Sequence, residues 1–442
     1  MFGISVARAA ELCGGRLLAE NGATAEINRI TVDSRSVTSG DLFAAYKGEK
    51  VDGHDYIAAA FEKGAVCALA EHVPEGVTGP VILTEDVQKA IENLASAFRA
   101  QLAIPIVGIT GSVGKTTAKE MTACVLARHF AAYRTAGNLN NTLGVPLSLS
   151  NIGREHEIAV IEMGINHFGE MARLGRMARP NVMIYTNIGH AHLEFLENLD
   201  GVLKAKTEVL PYLPADAAII ANGDDEKLRT LSCPQKILFY GFGENNDIRA
   251  LDVVQEELSL TCTIACQNRR IPVRIPTVGR HNVYAALAAA AAGFLFGLTD
   301  EEIASGIAEY KTVGRRNAVV KTDMLTLIDD CYNANLDSGM AAIDTLSGFP
   351  GRKVCIFGDL LEQGENTEAM QKKLGQYAAE KGIDLVVGVG PLGSMSSKIR
   401  YPDKHALIAD LPNLIREKDT VLVKASLGAH LEDVSEALKK LF

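Results

Sequence analysis

The chain predicts an α/β protein of three domains: a small α/β N-terminal domain over residues 1–84, a central P-loop ATPase-like parallel-sheet domain over 85–313, and a C-terminal Rossmann-like domain over 314–442. Three observations lead there. A length of 442 residues exceeds one compact core and suits about three. Apolar runs without polar alternation recur between helical stretches, the pattern of strands buried on both faces of a parallel sheet. The stretch GITGSVGKTT, residues 108–117, joins one such run to an amphipathic segment.

In the N-terminal region, turns such as DSRSVTSGDLF separate short strand candidates, and the small-residue segment 56–64 suits a helix. A helix candidate at 87–102 leads into the central region, with strands at 104–109, 158–163, 182–186 and 217–221. Helical stretches between them supply the crossovers that parallel pairing needs. The last region repeats the rhythm at 325–328, 354–357, 385–389 and 421–424, which predicts a second doubly wound sheet.

Composition narrows the class. With 47% apolar and 22% charged residues and no tryptophan, the chain is that of a soluble globular protein. A net charge of −10 argues against general affinity for nucleic acid or an anionic membrane. The eight cysteines are scattered, and Cys262 and Cys266 lack a second ligand pair, so reduced thiols fit better than zinc. The opening MFGISVARAA lacks a signal-peptide pattern, and the apolar stretch 285–298 is too short to span a bilayer, so a cytoplasmic protein is expected.

The chemistry concentrates at residues 108–117. Glycines let successive backbone N–H groups turn toward a polyanion, Lys115 can reach β and γ phosphates, and Thr116 can offer its hydroxyl to Mg2+. Ile109 stands where the longer motif places its first glycine, so the TGxxGKT core alone fits. Gly111, Ser112, Val113, Gly114, Lys115, Thr116 and Thr117 form the expected ATP-binding loop.

Further along, IAVIEMGINHFGE puts Glu162 near the carboxyl end of a buried strand, where open α/β sheets bind ligands. A carboxylate there either holds Mg2+, which favours hard oxygen donors, or pairs with a neighbouring cation. In TNIGHAHLEFL, His190 and His192 point the same way if extended, and are either structural or part of a phosphate and metal site. On its own Lys206 reads as a solvated helix lysine. Residues 138–142 read alone as a self-satisfying turn, Asp330 as a helix cap, Arg315 and Arg316 as a solvated pair, and Ser34 with Arg35 as a turn.

Together these segments resemble the Mur ligases, the ATP-dependent peptide ligases of peptidoglycan precursor synthesis. The motifs DSRSVTSGDLFAAYKGEKVDGHDYI, GITGSVGKTTAKEM, GNLNNTLGVPL, VIEMGINHFGE, TNIGHAHLEF, GVLKAKTE, VGRHNVYAALAAA and DDCYNAN stand in the family's order. GNLNNTLGVPL and YNAN resemble the member that adds D-alanyl-D-alanine to UDP-N-acetylmuramoyl-tripeptide, whereas the sister that adds a diamino acid carries a DNPR-type sequence where DCYNAN stands.

The resemblance implies roles. Lys115 and the loop amides hold the triphosphate of ATP; Thr116 and Glu162 bind one Mg2+ and His192 a second. Lys206 matches a lysine that is carbamylated in related ligases, so that its new carboxylate serves the metal. His281 and Asn282 lie near adenine, Arg315 near the γ phosphate, and Asp330 near the ribose. Ser34 and Arg35 bind the UDP end, Asn138 and Asn141 lie toward the sugar and peptide stem, and Asn333 and Asn335 join the substrate-binding set. The catalytic set is then Lys115, Glu162, His192, Lys206 and Arg315, in a monomer whose third domain closes over the second.

Four departures stand out: Ala285 for a second asparagine, Leu336 for a proline, Leu360 with Gln363 in GDLLEQG, and KASLGAH at 424–430, where Ala425 and Leu427 replace a glycine and an arginine. The last bears on carboxylate recognition, since no neutral side chain reproduces a guanidinium fork. Two alternatives stay open. One is another ligase of the superfamily, adding a diamino acid or resembling folylpolyglutamate synthase; the other is a nucleotide-binding paralogue with impaired catalysis.

Overall fold

The computed structural model describes residues 3–441 except 20, 49, 362 and 363, so Gln363 lies outside the described residues, and so does the side chain of Glu365. Among the described residues the strands form three sheets, of five, nine and six strands. The first is small and mixed: Arg16–Leu17 runs antiparallel to Val81–Leu83, and the remaining neighbours are parallel. The segment expected as a helix at 56–64 forms a 3-10 turn, Gly53–Tyr56, followed by the helix Ile57–Glu62.

The helix Val87–Gln101 begins where the Asp86 carboxylate accepts from the Lys89 amide, and its buried face includes Val87, Ile91, Leu94 and Phe98. That face packs on the helices Val6–Cys13, Gly144–Ser150 and Glu170–Ala178, tying the first sheet to the second. At its end Arg99 is buried, donating to the Ala178 and Leu102 carbonyls and to Asn181 Oδ1. The same Asn181 oxygen accepts from the Ile106 amide at 3.0 Å, which fixes the start of the next strand.

The nine-stranded sheet runs in space as Arg269–Ile275, Leu260–Cys266, Ile248–Gln255, Lys236–Gly241, Ala218–Asn222, Val182–Tyr185, Ile106–Thr110, Ile158–Glu162, Ala132–Arg134. From Ile248–Gln255 through Ala132–Arg134 all neighbours are parallel. The four expected strands are present, shifted by one or two residues at their ends. The expected purely parallel sheet needs correcting, because the far edge is an antiparallel meander. Its outer strands alternate buried and exposed residues, as a sheet covered on one face does.

Against this sheet lies the alanine-rich helix Asn282–Leu295, buried along most of its length. Side chains of one carbon let it approach the helix Lys115–Leu126 closely. The six-stranded sheet has the order Ala318–Lys321, Thr326–Asp330, Thr420–Lys424, Lys353–Phe357, Leu385–Val389, Ile399–Tyr401. Only its first pair is antiparallel. The last strand in sequence to join it therefore sits in the middle, and brings Lys424 to the centre of the carboxyl edge.

Candidate active site

The strand Ile106–Thr110 lies between Ile158–Glu162 and Val182–Tyr185, although it precedes both in sequence. That reversal of strand order opens a crevice at the carboxyl ends, the usual ligand position in an open α/β sheet. The loop after Thr110 crosses it and enters the helix Lys115–Leu126, with Gly114 at the N-cap in the left-handed region (φ 82°). Lys115 Nζ donates to the Gly111 carbonyl at 2.7 Å and lies 3.5 Å from that of Ser112. Burial lowers its pKa, against the opposing pull of Glu162.

Two expected phosphate donors are engaged within the protein. The Ser112 amide donates to the Asn187 carbonyl at 3.1 Å, and the Val113 amide to Asn187 Oδ1 at 2.8 Å. Thr186 Oγ1 donates to the Val113 carbonyl at 2.6 Å, and Ser112 Oγ bonds the Gly189 main chain at both its carbonyl and its amide. The TNIG segment thus moulds the loop, and the contribution of Ser112 and Val113 to a ligand shifts from amide donation to shaping the cradle. Nothing in the residue type of Asn187 signalled this, since its partners lie about seventy residues earlier in the chain.

Glu162 is 2% exposed and stands level with Ile109 in the register of their strands. Thr116 Oγ1 lies 3.2 and 3.1 Å from its two oxygens, and Asn140 Nδ2 donates to Oε1 at 2.8 Å. Lys119 Nζ lies 3.5 Å from Oε2. The cation-pair reading of this carboxylate is therefore met, with the Thr116 hydroxyl directed at the same group. Asn140 and Lys119 were not singled out in the sequence. The spacing of Lys119 one helical turn beyond Lys115 was the only available signal.

A cavity of about 410 Å³ spans the central and third domains. From the loop it takes Ser112, Val113, Gly114, Lys115, Thr116 and Thr117, and from nearby segments Asn138, Asn140, Asn141, Glu162, His192, His281 and Asn282. The third domain contributes Arg316, Asp330, Tyr332, Asn333, Asn335 and Lys424. Sequence-distant candidates are thus brought to one place. Gly111, just outside this lining, has φ 152° and sits so close to Thr186 Oγ1 that a Cβ would overlap it.

Asp330 and Lys424 are register partners on adjacent strands, and their side chains form an ion pair at 2.8 Å. Lys424 also donates to the Asn333 carbonyl at 2.7 Å, and Asp330 Oδ1 accepts from the Asn317 amide at 3.0 Å. Asp330 is therefore not the cap of the next helix. That cap is Asn335, whose side chain accepts from the Ser338 amide in a reciprocal capping box. Asn141 has a similar local task, accepting from the Leu143 and Gly144 amides ahead of the helix Gly144–Ser150. His281 is the N-cap residue of the alanine-rich helix, with its pKa lowered by burial, while Asn282 donates to the Val278 carbonyl at 2.7 Å.

Besides Gly111, four expected residues lie outside the cavity lining. Arg315, in the bend before the strand Ala318–Lys321, donates to Asp329 Oδ2 and to Glu436 Oε1 of the C-terminal helix Glu432–Lys439, each at 2.7 Å. Its neighbour Arg316 faces the cavity, with its guanidinium 3.6 Å from the centroid of the Tyr332 ring. Lys206 is 1% exposed, which corrects the reading of a solvated helix lysine. Burial and the nearby Lys115 hold its pKa well below the ordinary lysine value. Ser34 and Arg35 sit apart on the first domain, where Arg35 pairs with Asp33 at 2.9 Å and Lys63 donates to the Ser34 carbonyl. Of the departures, Ala425 is buried and Leu427 is half exposed at the third domain's edge.

A P-loop at a sheet switch point, facing a second α/β domain across one cavity, is the arrangement expected of an ATP-driven ligase. The chain belongs to the Mur ligase family: "Mur ligase family, catalytic domain" matches residues 26–104, "Mur ligase middle domain" 109–293, and "Mur ligase, glutamate ligase domain" 314–427. It is 35% identical to the "UDP-N-acetylmuramoyl-tripeptide--D-alanyl-D-alanine ligase" of Bacillus subtilis (strain 168), with 98% of each chain covered. Among solved structures it is similar to MurF from Acinetobacter baumannii, with TM-score 0.92, 31% identity and 99% of each chain covered. It is also similar to the MurF ligase of Thermotoga maritima in complex with ADP, with TM-score 0.84, 28% identity, and 93% of this chain and 97% of that one covered.

Proposed function

We propose that this chain is an ATP-dependent amide-bond ligase that joins D-alanyl-D-alanine to UDP-N-acetylmuramoyl-tripeptide in peptidoglycan precursor synthesis. The observation that carries the reading is the full-length similarity to ligases of that name, together with a phosphate loop whose cavity is completed by the third domain. The chemistry follows from the inertness of a carboxylate toward amines. A terminal carboxylate oxygen of the tripeptide attacks the γ phosphorus, the bond to the β-bridging oxygen breaks, and ADP departs. The amine of D-alanyl-D-alanine then adds to the acyl carbon, phosphate is expelled, and the nitrogen loses a proton.

Within this reading Lys115 and the helix N-terminus hold the phosphates, while Ser112, Val113, Gly114 and Thr117 shape the cradle. We assign the cationic contact from the third domain to Arg316, since Arg315 is engaged by Asp329 and Glu436. His281 and Asn282 lie on the adenine side and Asp330, fixed by Lys424, on the ribose side. Asn138, Asn141, Asn333 and Asn335 line the substrate side, and Ser34 with Arg35 binds the UDP end.

The oxygen donors of Thr116 and Glu162 suit Mg2+, with His192 in the same cavity. Mg2+ would neutralise charge on the transferring phosphoryl group. Burial and Lys115 lower the Lys206 pKa, which favours the deprotonated amine that adds CO2 and loses a proton to become a carbamate. Domain boundaries at 84/85 and 313/314, a monomeric state and a cytoplasmic location belong to the same proposal. Among the described residues no helix is long and apolar enough to cross a membrane.

The test is the product mass after incubation with ATP, Mg2+, UDP-N-acetylmuramoyl-tripeptide and D-alanyl-D-alanine. A product heavier than the tripeptide substrate by the dipeptide less one water is expected. Phosphate release that ignores the acceptor, or none at all, would overturn the assignment.

A further inference from the structure

Lys119 is a buried cation that the proposed reaction does not use. It is 1% exposed, sits one turn beyond Lys115 on the same helix, and donates to the Thr135 carbonyl at 2.9 Å. Its ammonium lies 3.1 Å from Glu120 Oε1 and 3.5 Å from Glu162 Oε2. Glu120 has a second partner, Arg134 Nε, at 2.9 Å, which leaves Lys119 as the ion-pair partner of Glu162. Thr116 and Asn140 direct a hydroxyl and an amide at the same carboxylate. Lys115 adds a second positive charge close enough to feel it.

A carboxylate so surrounded is a poor site for a free divalent cation. Its charge is already matched, a hydroxyl and an amide already donate to it, and an arriving cation meets an ammonium held in place by backbone carbonyls. A triphosphate changes that balance. It draws Lys115 away from the loop carbonyls and brings several negative charges to the mouth of the crevice, enough to outweigh the fixed ammonium.

We propose that Lys119 is a positioning residue that keeps Glu162 from binding a divalent cation until nucleotide arrives, so that the metal enters with its phosphate ligands. The inference rests on the ATP-ligase reading of the same site. Its test uses Mn2+ as the probe, followed by electron paramagnetic resonance on the full chain without nucleotide, in the wild type and in Lys119→Met and Lys119→Arg. Lys119→Met should bind Mn2+ at least tenfold more tightly than wild type, and Mn2+ should raise its unfolding temperature. Lys119→Arg, which keeps the charge, should behave as wild type, and adding Glu162→Gln to Lys119→Met should remove the gained binding.

Equal Mn2+ binding by wild type and a folded Lys119→Met, judged by circular dichroism, would overturn the proposal. Should Lys119→Met fail to fold, tight nucleotide-free Mn2+ binding by wild type, abolished by Glu162→Gln, would overturn it equally. Calorimetry with ADP separates the two readings: loss of ADP binding in the wild type defeats the ligase assignment, whereas intact ADP binding with unchanged Mn2+ behaviour defeats this inference alone.

Discussion

His190 and Asp337 clasp the third domain to the phosphate loop. The His190 amide donates to Asp337 Oδ2 at 2.6 Å, and its Nδ1 lies 3.0 Å from Oδ1. One residue earlier, the Gly189 main chain bonds Ser112 Oγ, so the clasp is two contacts from the loop itself. Asp337 lies in the first turn of the helix Leu336–Ser347, where a carboxylate also favours the helix dipole. Asp337→Ala should therefore loosen the docking of the third domain. Small-angle scattering of the free protein should show a larger radius of gyration, and ATP affinity should fall by about tenfold, the scale of one or two charge-assisted hydrogen bonds. Unchanged scattering would show that the domains are held elsewhere.

The two glycines of the loop should respond differently to a methyl group. At Gly111 a Cβ would overlap Thr186 Oγ1, the atom that holds the Val113 carbonyl. Gly111→Ala should displace the loop, cost about 1–3 kcal/mol of stability, and weaken ATP binding by more than tenfold. At Gly114 nothing lies within 4 Å of the added carbon, and the strain of φ 82° alone remains. Gly114→Ala should cost about 1–2 kcal/mol with a smaller loss of affinity. Urea unfolding and calorimetry with ADP check the contrast.

The adjacent arginines separate stability from binding. Arg315→Ala removes a partner of Asp329, whose side chain is 3% exposed. Because the guanidinium is itself about one third exposed, the loss is discounted to about 1–3 kcal/mol. Arg316→Ala removes a cation that faces the cavity and stacks on Tyr332, so stability should change by less than about 1 kcal/mol. Its effect should fall on nucleotide affinity, by about tenfold. The reverse pattern in unfolding and binding measurements would return the phosphate role to Arg315.

His281 supplies a pH signature. Burial depresses its pKa below the ordinary 6.5; Asp330 opposes the shift and Lys424 adds to it. The unfolded chain takes up the proton first as pH falls, so the stability contribution is complete above about 6.5 and is lost as pH drops toward the folded value. Within that window the loss is at most about 1.4 kcal/mol per pH unit. The difference in urea stability between wild type and His281→Gln should narrow as pH falls from 7 to 5, with parallel curves counting against a buried neutral imidazole.

What the residues determine alone is local. Apolar runs marked Ile106–Thr110, Ile158–Glu162 and Val182–Tyr185 as buried strands, glycine spacing marked the phosphate loop, and position on a strand end placed Glu162 at a ligand edge. The alternating strands 248–255, 260–266 and 269–275 were not read as a meander, because short alternation does not say which strand lies beside which. Side-chain direction in a bend was equally illegible: Arg315 and Arg316 are adjacent ahead of the strand Ala318–Lys321, yet one meets Asp329 and Glu436 and the other the cavity.

Partner choice belonged to the tertiary structure. Lys206 is buried rather than solvated, Asn187 occupies two loop amides, and Asp330 meets Lys424 from 94 residues away only because the last strand inserts at the sheet's centre. Lys119 pairs with Glu162 because one sheet aligns Ile109 with that glutamate. Periodicity and turn chemistry act over a few residues and can be read in order along the chain. The charges that meet at this site are brought together by strand order and register, which are fixed only when the sheets assemble.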